Sequence, residues 1–306
     1  MRNIKESITE IIGNTPLLHT SRLNSLYGAG AEILVKIEGM NPGGSAKDRP
    51  ALKMIEEAEK EGRLKPGGTI IEPTSGNTGV GLAMVAASRG YRAVMVMPDT
   101  MSIERRKLLK AYGAEIVLTP GSEGMAGSVS MAEKLHSENE NSIIAGQFVN
   151  PANYIAHMET TGPEIWEDTD GTVDVFVAGM GTGGTVTGTG KYLKKMNPDV
   201  HIVMVEPADS PLVSEGKSGP HRLQGIGANF IPDVFDRSVC DEVITVSDDD
   251  AFDAMRKLAQ VEGVFAGITS GAAYWAAVQI SKREEFRGKT VVALLPDTGE
   301  RYLSVI

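Results

Sequence analysis

Three short stretches combine a glycine-rich turn with groups that bind or react, and each follows an apolar, strand-like run. Residues 41–50 read NPGGSAKDRP, behind AEILVKIE at 31–38. Small residues there leave room beside Lys47, whose amine attacks a carbonyl once it is desolvated. Gly39 to Gly44 nearly fits the phosphate loop GxxxxGK[ST], but Ser45 stands where the lysine belongs, so this is not that loop. Residues 72–81 read EPTSGNTGVG, behind TIIEP at 69–73. Hydroxyls and backbone N–H groups at the positive end of a helix suit a carboxylate or a phosphate. A helix cap needs one of Ser75, Asn77 and Thr78, and all three are present. Residues 177–188 read VAGMGTGGTVTG, behind VDVFV.

Taken alone, the third stretch is a dinucleotide motif. Gly179, Gly181 and Gly184 satisfy GxGxxG, and Glu206 lies 22 residues beyond Gly184, where an acid would meet a ribose. Thr182 and Thr185 point elsewhere, because hydroxyls added to glycine N–H groups make a nest for a terminal phosphate. A nicotinamide enzyme also leaves Lys47 and TSGNTG without a role. One ligand with three handles uses all three turns: a phosphate for GTGGT, an aldehyde for Lys47, and an amino-acid adduct whose carboxylate reaches TSGNT. Pyridoxal 5′-phosphate fits that description.

Strand-like runs at 31–38, 69–73, 92–98, 115–119, 173–179, 201–207, 242–247 and 290–296 must position these turns. Several are apolar nearly throughout, as strands covered on both faces are. Helical patterns fall near 47–61, 77–89, 102–112, 125–137, 184–196, 248–261 and 270–283. In 248–261, Phe252, Met255, Leu258 and Ala259 form an apolar stripe, and Ser247 with Asp250 predicts the helix start. The alternation predicts an α/β fold with largely parallel sheets, and a seam near 140–150 separates two sheet-centred halves.

Bulk properties narrow the class. The 306 residues are 41% hydrophobic and 23% charged, ordinary globular values, and 35 glycines imply many tight turns. A net charge of −10 without a basic cluster argues against nucleic acid. The segment MRNIKESITEIIGNTP lacks the apolar run of a signal peptide, and no stretch has the length of a membrane span. The single cysteine, Cys240, precludes an internal disulfide, which fits a reducing cytoplasm; VCDEV predicts it at the start of a buried strand. The five histidines (His19, His136, His157, His201, His221) show no metal-binding spacing.

Nine ordered motifs, NPGGSAKDR, EPTSGNTG, MPDTMSIERRKLLKAYGAEIVLT, QFVNPAN, TTGPEIWEDTDG, VAGMGTGGTVTG, GIGANFIP, GITSGAA and LPDTGERYLS, run from about residue 7 to the end of the chain. Together they resemble the cysteine synthase (O-acetylserine sulfhydrylase) family, related to cystathionine β-synthase. The resemblance implies the tryptophan-synthase-β type (fold type II) of pyridoxal-phosphate enzyme. That fold has two α/β subdomains with mostly parallel sheets and the cofactor between them. The smaller, mobile subdomain would span 40–148, and the larger, phosphate-binding one 1–39 and 149–306. Closure of the smaller one over the substrate would exclude water.

The resemblance also implies roles. Lys47 would bond covalently to the cofactor and then serve as the acid–base group at Cα. Asn77 would hydrogen-bond the ring's 3′-oxygen. Thr74, Ser75, Gly76, Thr78 and Gln147 would hold the substrate carboxylate, with Gly225 also lining the substrate site. Gly181, Thr182, Gly183, Gly184 and Thr185 would cradle the phosphate. Thr269 would face the pyridine nitrogen, where the family has serine; Ser270 is adjacent. A neutral hydroxyl there does not hold that nitrogen protonated, so the carbanion at Cα expels a β-leaving group. The reaction implied is β-replacement through an α-aminoacrylate, with cysteine made from O-acetylserine and sulfide. Family members are homodimers, and some bind serine acetyltransferase.

Three further residues depart from the family pattern: Pro50 after KDR, Asn229 in place of glycine in GIGANF, and Asp233 in FIPD. Pro50 is tolerable in a first helical turn. Asp233 offers a carboxylate that could serve as general base toward water, which would turn the enzyme into a lyase converting cysteine to serine and sulfide. It is equally a solvent-facing turn acid. A cystathionine-forming relative and a regulatory protein that binds serine acetyltransferase are the other readings; retained Lys47, Asn77 and Gln147 argue against loss of chemistry.

Overall fold

The computed structural model describes residues 4–305. Its strands are β1 (Leu17–His19), β2 (Glu32–Ile37), β3 (Thr69–Pro73), β4 (Arg92–Pro98), β5 (Glu115–Thr119), β6 (Ser142–Ile144), β7 (Val175–Gly179), β8 (His201–Pro207), β9 (Glu242–Val246) and β10 (Thr290–Leu295). The helices are α1 (Ser21–Tyr27), α2 (Asp48–Lys60), α3 (Asn77–Arg89), α4 (Ile103–Ala111), α5 (Gly124–Ser137), α6 (Ala152–Glu159), α7 (Thr161–Asp168), α8 (Gly184–Met196), α9 (Leu212–Glu215), α10 (Asp248–Lys257) and α11 (Ile268–Ser281). Among the described residues no helix is long and apolar enough to cross a membrane. Contacts divide the chain into two units, one of Lys47–Asn153 with the segment up to Ile12, the other of Gly13–Ala46 with Tyr154–Ile306.

The first unit is built on a four-stranded sheet in the order β5-β4-β3-β6, parallel throughout. Side chains alternate across it, as strand geometry requires. Ile70, Met95 and Met97 face a core with Met54 and Ile55 of α2 and Leu82 and Val85 of α3. Ile71, Val94 and Val96 face the opposite way, onto Ala132 of α5. Both faces are covered, which is why β3 and β4 read as continuous apolar runs.

The second unit carries a six-stranded sheet in the order β1-β2-β10-β7-β8-β9, parallel except where β1 runs against β2. Val175, Val177, Val203 and Val205 pack with α10 and α11. Phe176, Ala178, Ile202 and Met204 pack with Val186 and Leu193 of α8. Gly271 lets α11 lie against α10, since a Cβ there would strike the Ala251 carbonyl and Met255. Lys36, fully buried in β2, is held by Glu164 at 2.9 Å and Asp168 at 3.2 Å, both on α7. The TTGPEIWED stretch thus supplies the counter-charges that a buried lysine needs.

The eight expected strands all form, two of them trimmed at their first residues and three at their last. The structure adds β1 and β6, three residues each, and helices α1, α6, α7 and α9. The seam expected near 140–150 is corrected in part: Ser142–Ile144 pairs with β3 as an integral strand. The helix expected at 248–261 ends at Lys257 and widens into a π-turn over Leu258–Glu262. Its start is as read: the Ser247 hydroxyl accepts the Asp250 N–H at 3.1 Å.

Candidate active site

Two groups of the expected residues emerge, one in each unit. In the first unit, Lys47 stands at the N-cap position of α2 and is partly buried. Gly81 of α3 fixes its place. A Cβ on Gly81 would lie 3.0 Å from the Lys47 carbonyl and 2.9 Å from the Ala51 Cβ. Asn77 sits one helical turn before Gly81, on the same face of α3. Pro50 falls in the first turn of α2, where an N–H is not required.

The turn between β3 and α3 is held by its own hydroxyls. The Thr74 oxygen accepts the Gly76 N–H at 3.2 Å, and the Ser75 hydroxyl donates to the Met101 sulfur at 3.0 Å. The Thr78 hydroxyl donates to the Gln147 side-chain oxygen at 2.6 Å. The structure therefore joins 74–78 to Gln147, 69 residues away from Thr78 in sequence. Beneath lies a residue that sequence reasoning passed over. Glu72 of β3 is buried, and its carboxylate accepts the N–H groups of Gly146 at 2.7 Å and Gln147 at 3.2 Å. Burial pushes its pKa up to about 7, against the hydrogen bonds from Gly146 and Gln147 that lower it. A lone acid inside an apolar strand was the available signal.

In the second unit, α8 begins directly after Gly181–Gly183. Gly183 has φ +81° and lies so close to Phe235 that a Cβ would come within 2.6 Å of that side chain. The Thr182 hydroxyl accepts the Gly184 N–H at 3.3 Å. A Cβ on Gly181 would collide with the Gly225 carbonyl, and Gly225 itself faces Thr269, with φ +112°. Gly181, Gly225 and Thr269 are therefore contiguous, and the Phe235 segment that follows Asp233 packs on the same loop. Asp233 is exposed. Asn229 has φ +53°, the left-handed conformation that glycine adopts freely and asparagine tolerates, which accounts for its place in GIGANF. A second unforeseen residue, buried His157, bonds Thr185 Oγ1 through Nε2 at 3.1 Å and Thr161 Oγ1 through Nδ1 at 2.9 Å. The His157–Thr161 spacing of four was its signal.

Glu206 is not available to a ribose. Its carboxylate is buried and accepts the Val213 N–H, the Ser214 N–H and the Ser214 hydroxyl at 2.9, 3.0 and 2.5 Å. That removes the acid on which a dinucleotide reading depends.

The residues present fit pyridoxal phosphate. Helices α3, α8 and α11 start behind Gly76, Gly183 and Gly267, N-cap residues with no side chain to cap them. By contrast, α4 and α10 are capped by Ser102 and Ser247. An uncapped start behind a glycine cradle leaves N–H groups for an anion. Thr269 lies in the first turn of α11, and the neighbouring Ser270 hydroxyl is buried with no hydrogen-bond partner among the described residues.

Comparison with known proteins decides the family. The model of a family described as pyridoxal-phosphate dependent enzyme matches residues 8–297. The cysteine synthase of Staphylococcus aureus is 54% identical over 300 residues, 98% of this chain and 96% of that protein. This chain belongs to the cysteine synthase family of pyridoxal-phosphate-dependent enzymes. Solved structures of the same family superpose closely. A hydrogen sulfide-producing enzyme from Fusobacterium nucleatum gives a TM-score of 0.95 at 47% identity, covering 99% of both chains. Cysteine synthase from Entamoeba histolytica gives 0.94 at 43% identity, covering 99% of this chain and 90% of that one. Membership carries the two mostly parallel sheets and dependence on pyridoxal phosphate with it.

Proposed function

We propose that this enzyme catalyses β-replacement on an amino acid, making cysteine and acetate from O-acetylserine and sulfide. The observation that carries the reading is the α3 start: an uncapped helix end, flanked by Thr74, Ser75 and the Thr78–Gln147 pair, against which Gly81 seats Lys47. That arrangement suits the carboxylate of an amino acid whose Cα must meet an amine.

Pyridoxal phosphate, when bound, supplies an aldehyde that links to amines and a ring that draws electrons from Cα. Lys47 would anchor it and then hold and move the Cα proton. Asn77 would donate to the ring's 3′-oxygen. Thr74, Ser75, Gly76, Thr78 and Gln147 would orient the substrate carboxylate, and Gly225 would line the substrate's side. The N–H groups and hydroxyls of Gly181, Thr182, Gly183, Gly184 and Thr185 would receive the phosphate, with His157 orienting the Thr185 hydroxyl. Thr269 would offer the ring nitrogen a neutral hydroxyl. The acetate leaves Cβ with the bonding pair, and sulfide adds there. A smaller subdomain of about 40–148 closing on the bound carboxylate would keep water out. Homodimer formation, a cytoplasmic location and engagement of serine acetyltransferase rest on the family likeness alone.

The test is cysteine formation by the purified enzyme supplied with O-acetylserine and sulfide; absence of product overturns the reading. A second reading is sulfide release from cysteine, with water adding to give serine. It is favoured by the hydrogen sulfide-producing relative and by exposed Asp233 beside the Phe235 segment. Serine and sulfide appearing together from cysteine alone, and falling at least about tenfold in Asp233→Asn, a loss within the range of general-base contributions, would support it. Equal rates in both proteins would discard Asp233 as the base.

A further inference from the structure

The carboxylate cradle has a second layer. Gln147 follows β6 on a loop with no helix of its own to hold it, yet an amide side chain must present a particular end to a bound carboxylate. Two contacts fix that end. The amide oxygen accepts the Thr78 hydroxyl hydrogen at 2.6 Å. The backbone that carries the amide is held by the Glu72 carboxyl. The same carboxyl receives the backbone N–H groups of Gly146 and Gln147 at 2.7 and 3.2 Å. Gly146 has φ +70°, so the chain turns sharply just where the carboxyl grips it. On the far side, the Gln147 carbonyl accepts from Asn153 at 2.7 Å.

We infer that Glu72 is a positioning residue for the substrate carboxylate. It binds the backbone N–H groups of Gly146 and Gln147 and so fixes the loop from which the Gln147 amide, its oxygen held by Thr78, presents its N–H groups to the substrate. The inference rests on the proposed function, because it needs Gln147 to meet the substrate.

Three observations separate this role from ordinary core packing. An acid inside an otherwise apolar strand is costly to bury, and an apolar residue would pack β3 better. Its partners are the backbone N–H groups of Gly146 and Gln147, neither of them a cation, so charge pairing does not explain it. Its two backbone donors come from adjacent residues, and one of them is Gln147 itself. The two N–H groups bond separate carboxyl oxygens, and a glutamine here offers only one acceptor oxygen, so it would hold the Gly146–Gln147 turn less firmly.

The experiment is a double-mutant cycle on Glu72→Gln and Gln147→Ala, measured as KM for O-acetylserine, KM for sulfide, and calorimetric affinity for L-serine. Glu72→Gln is expected to raise KM for O-acetylserine and weaken L-serine binding about tenfold, on the scale of a lost charged hydrogen bond. KM for sulfide and the visible cofactor absorbance should stay as in the parent. In the Gln147→Ala background Glu72→Gln should change neither substrate constant further. Unchanged substrate constants in Glu72→Gln, or equal fold-changes in both backgrounds, overturn the inference. If Glu72→Gln does not fold, Glu72→Asp carries the same cycle. Should the parent make no cysteine, the functional reading fails, while L-serine affinity still tests Glu72 by itself.

Discussion

The Thr78 hydroxyl donates to the Gln147 side-chain oxygen across 2.6 Å. This one bond ties the start of α3 to the loop behind β6, the two parts of the proposed carboxylate cradle. Thr78→Val keeps the shape and removes the donor. The buried Gln147 oxygen then lacks its partner, a loss of about 1–3 kcal/mol. KM for the amino-acid substrate should rise about tenfold with KM for sulfide unchanged, read from initial rates at varied concentrations of each.

Lys47→Ala should abolish the visible absorbance of the lysine–cofactor bond. It should also lower turnover at least about a thousandfold, since anchoring and proton transfer go together. A spectrum and a rate on the same sample decide it; wild-type turnover would remove Lys47 from the mechanism.

Gly81→Ala puts a methyl group 3.0 Å from the Lys47 carbonyl and 2.9 Å from Ala51. Overpacking of this kind costs about 1–3 kcal/mol. Because the strained contact includes the Lys47 backbone, turnover should fall together with the urea midpoint. A drop in midpoint with unchanged turnover would show that α2 yields without moving the lysine.

Thr182→Ala removes the hydroxyl that accepts the Gly184 N–H in the proposed phosphate cradle. Cofactor should be lost about tenfold more readily on dialysis against inorganic phosphate, the cost of one hydrogen bond to a charged group. Unchanged retention would place the phosphate elsewhere.

Glu72 also sets a pH dependence. Its folded pKa is about 7, against an ordinary glutamate value of 4.5. Between those values the folded chain binds the extra proton. Its contribution is therefore fully present below about pH 4.5 and is lost as pH rises through about 7. The difference is on the order of 3 kcal/mol. Parent stability relative to Glu72→Gln should fall between pH 5 and 8 by urea denaturation; a constant difference would mean that Glu72 titrates normally in the fold.

Much of this was legible beforehand because the informative residues are local. TIIEP, RAVMVMP and TVVALL are apolar on both faces, so their strands and parallel pairing follow from composition. The glycine turns announce ligand loops because each sits between such a strand and a helix. What was missed depends on partners far along the chain. Leu17–His19 and Ser142–Ile144 are too short to show a period and become strands only by pairing with β2 and β3. Glu206 matched a ribose-binding position by spacing, but spacing does not reveal that residues 213 and 214 return to occupy it. Glu72 and His157 act through residues 75 and 28 positions away.

The glycine starts of α3, α8 and α11 have a consequence for anyone who engineers this protein for heat resistance. Serine caps such as those of α4 and α10 are among the cheapest stabilising changes, worth about 0.5–2 kcal/mol each. At these three starts they are ruled out. Gly183 holds φ +81° against Phe235, and a Cβ on Gly267 would run into Asp297. Gly76 has room for a side chain, but a cap there would occupy the N–H groups proposed for the substrate. A thermostable variant has to gain its tolerance at the outer helices, and selection for melting temperature alone would drift toward an enzyme that survives heating with its ligand sites filled by its own side chains.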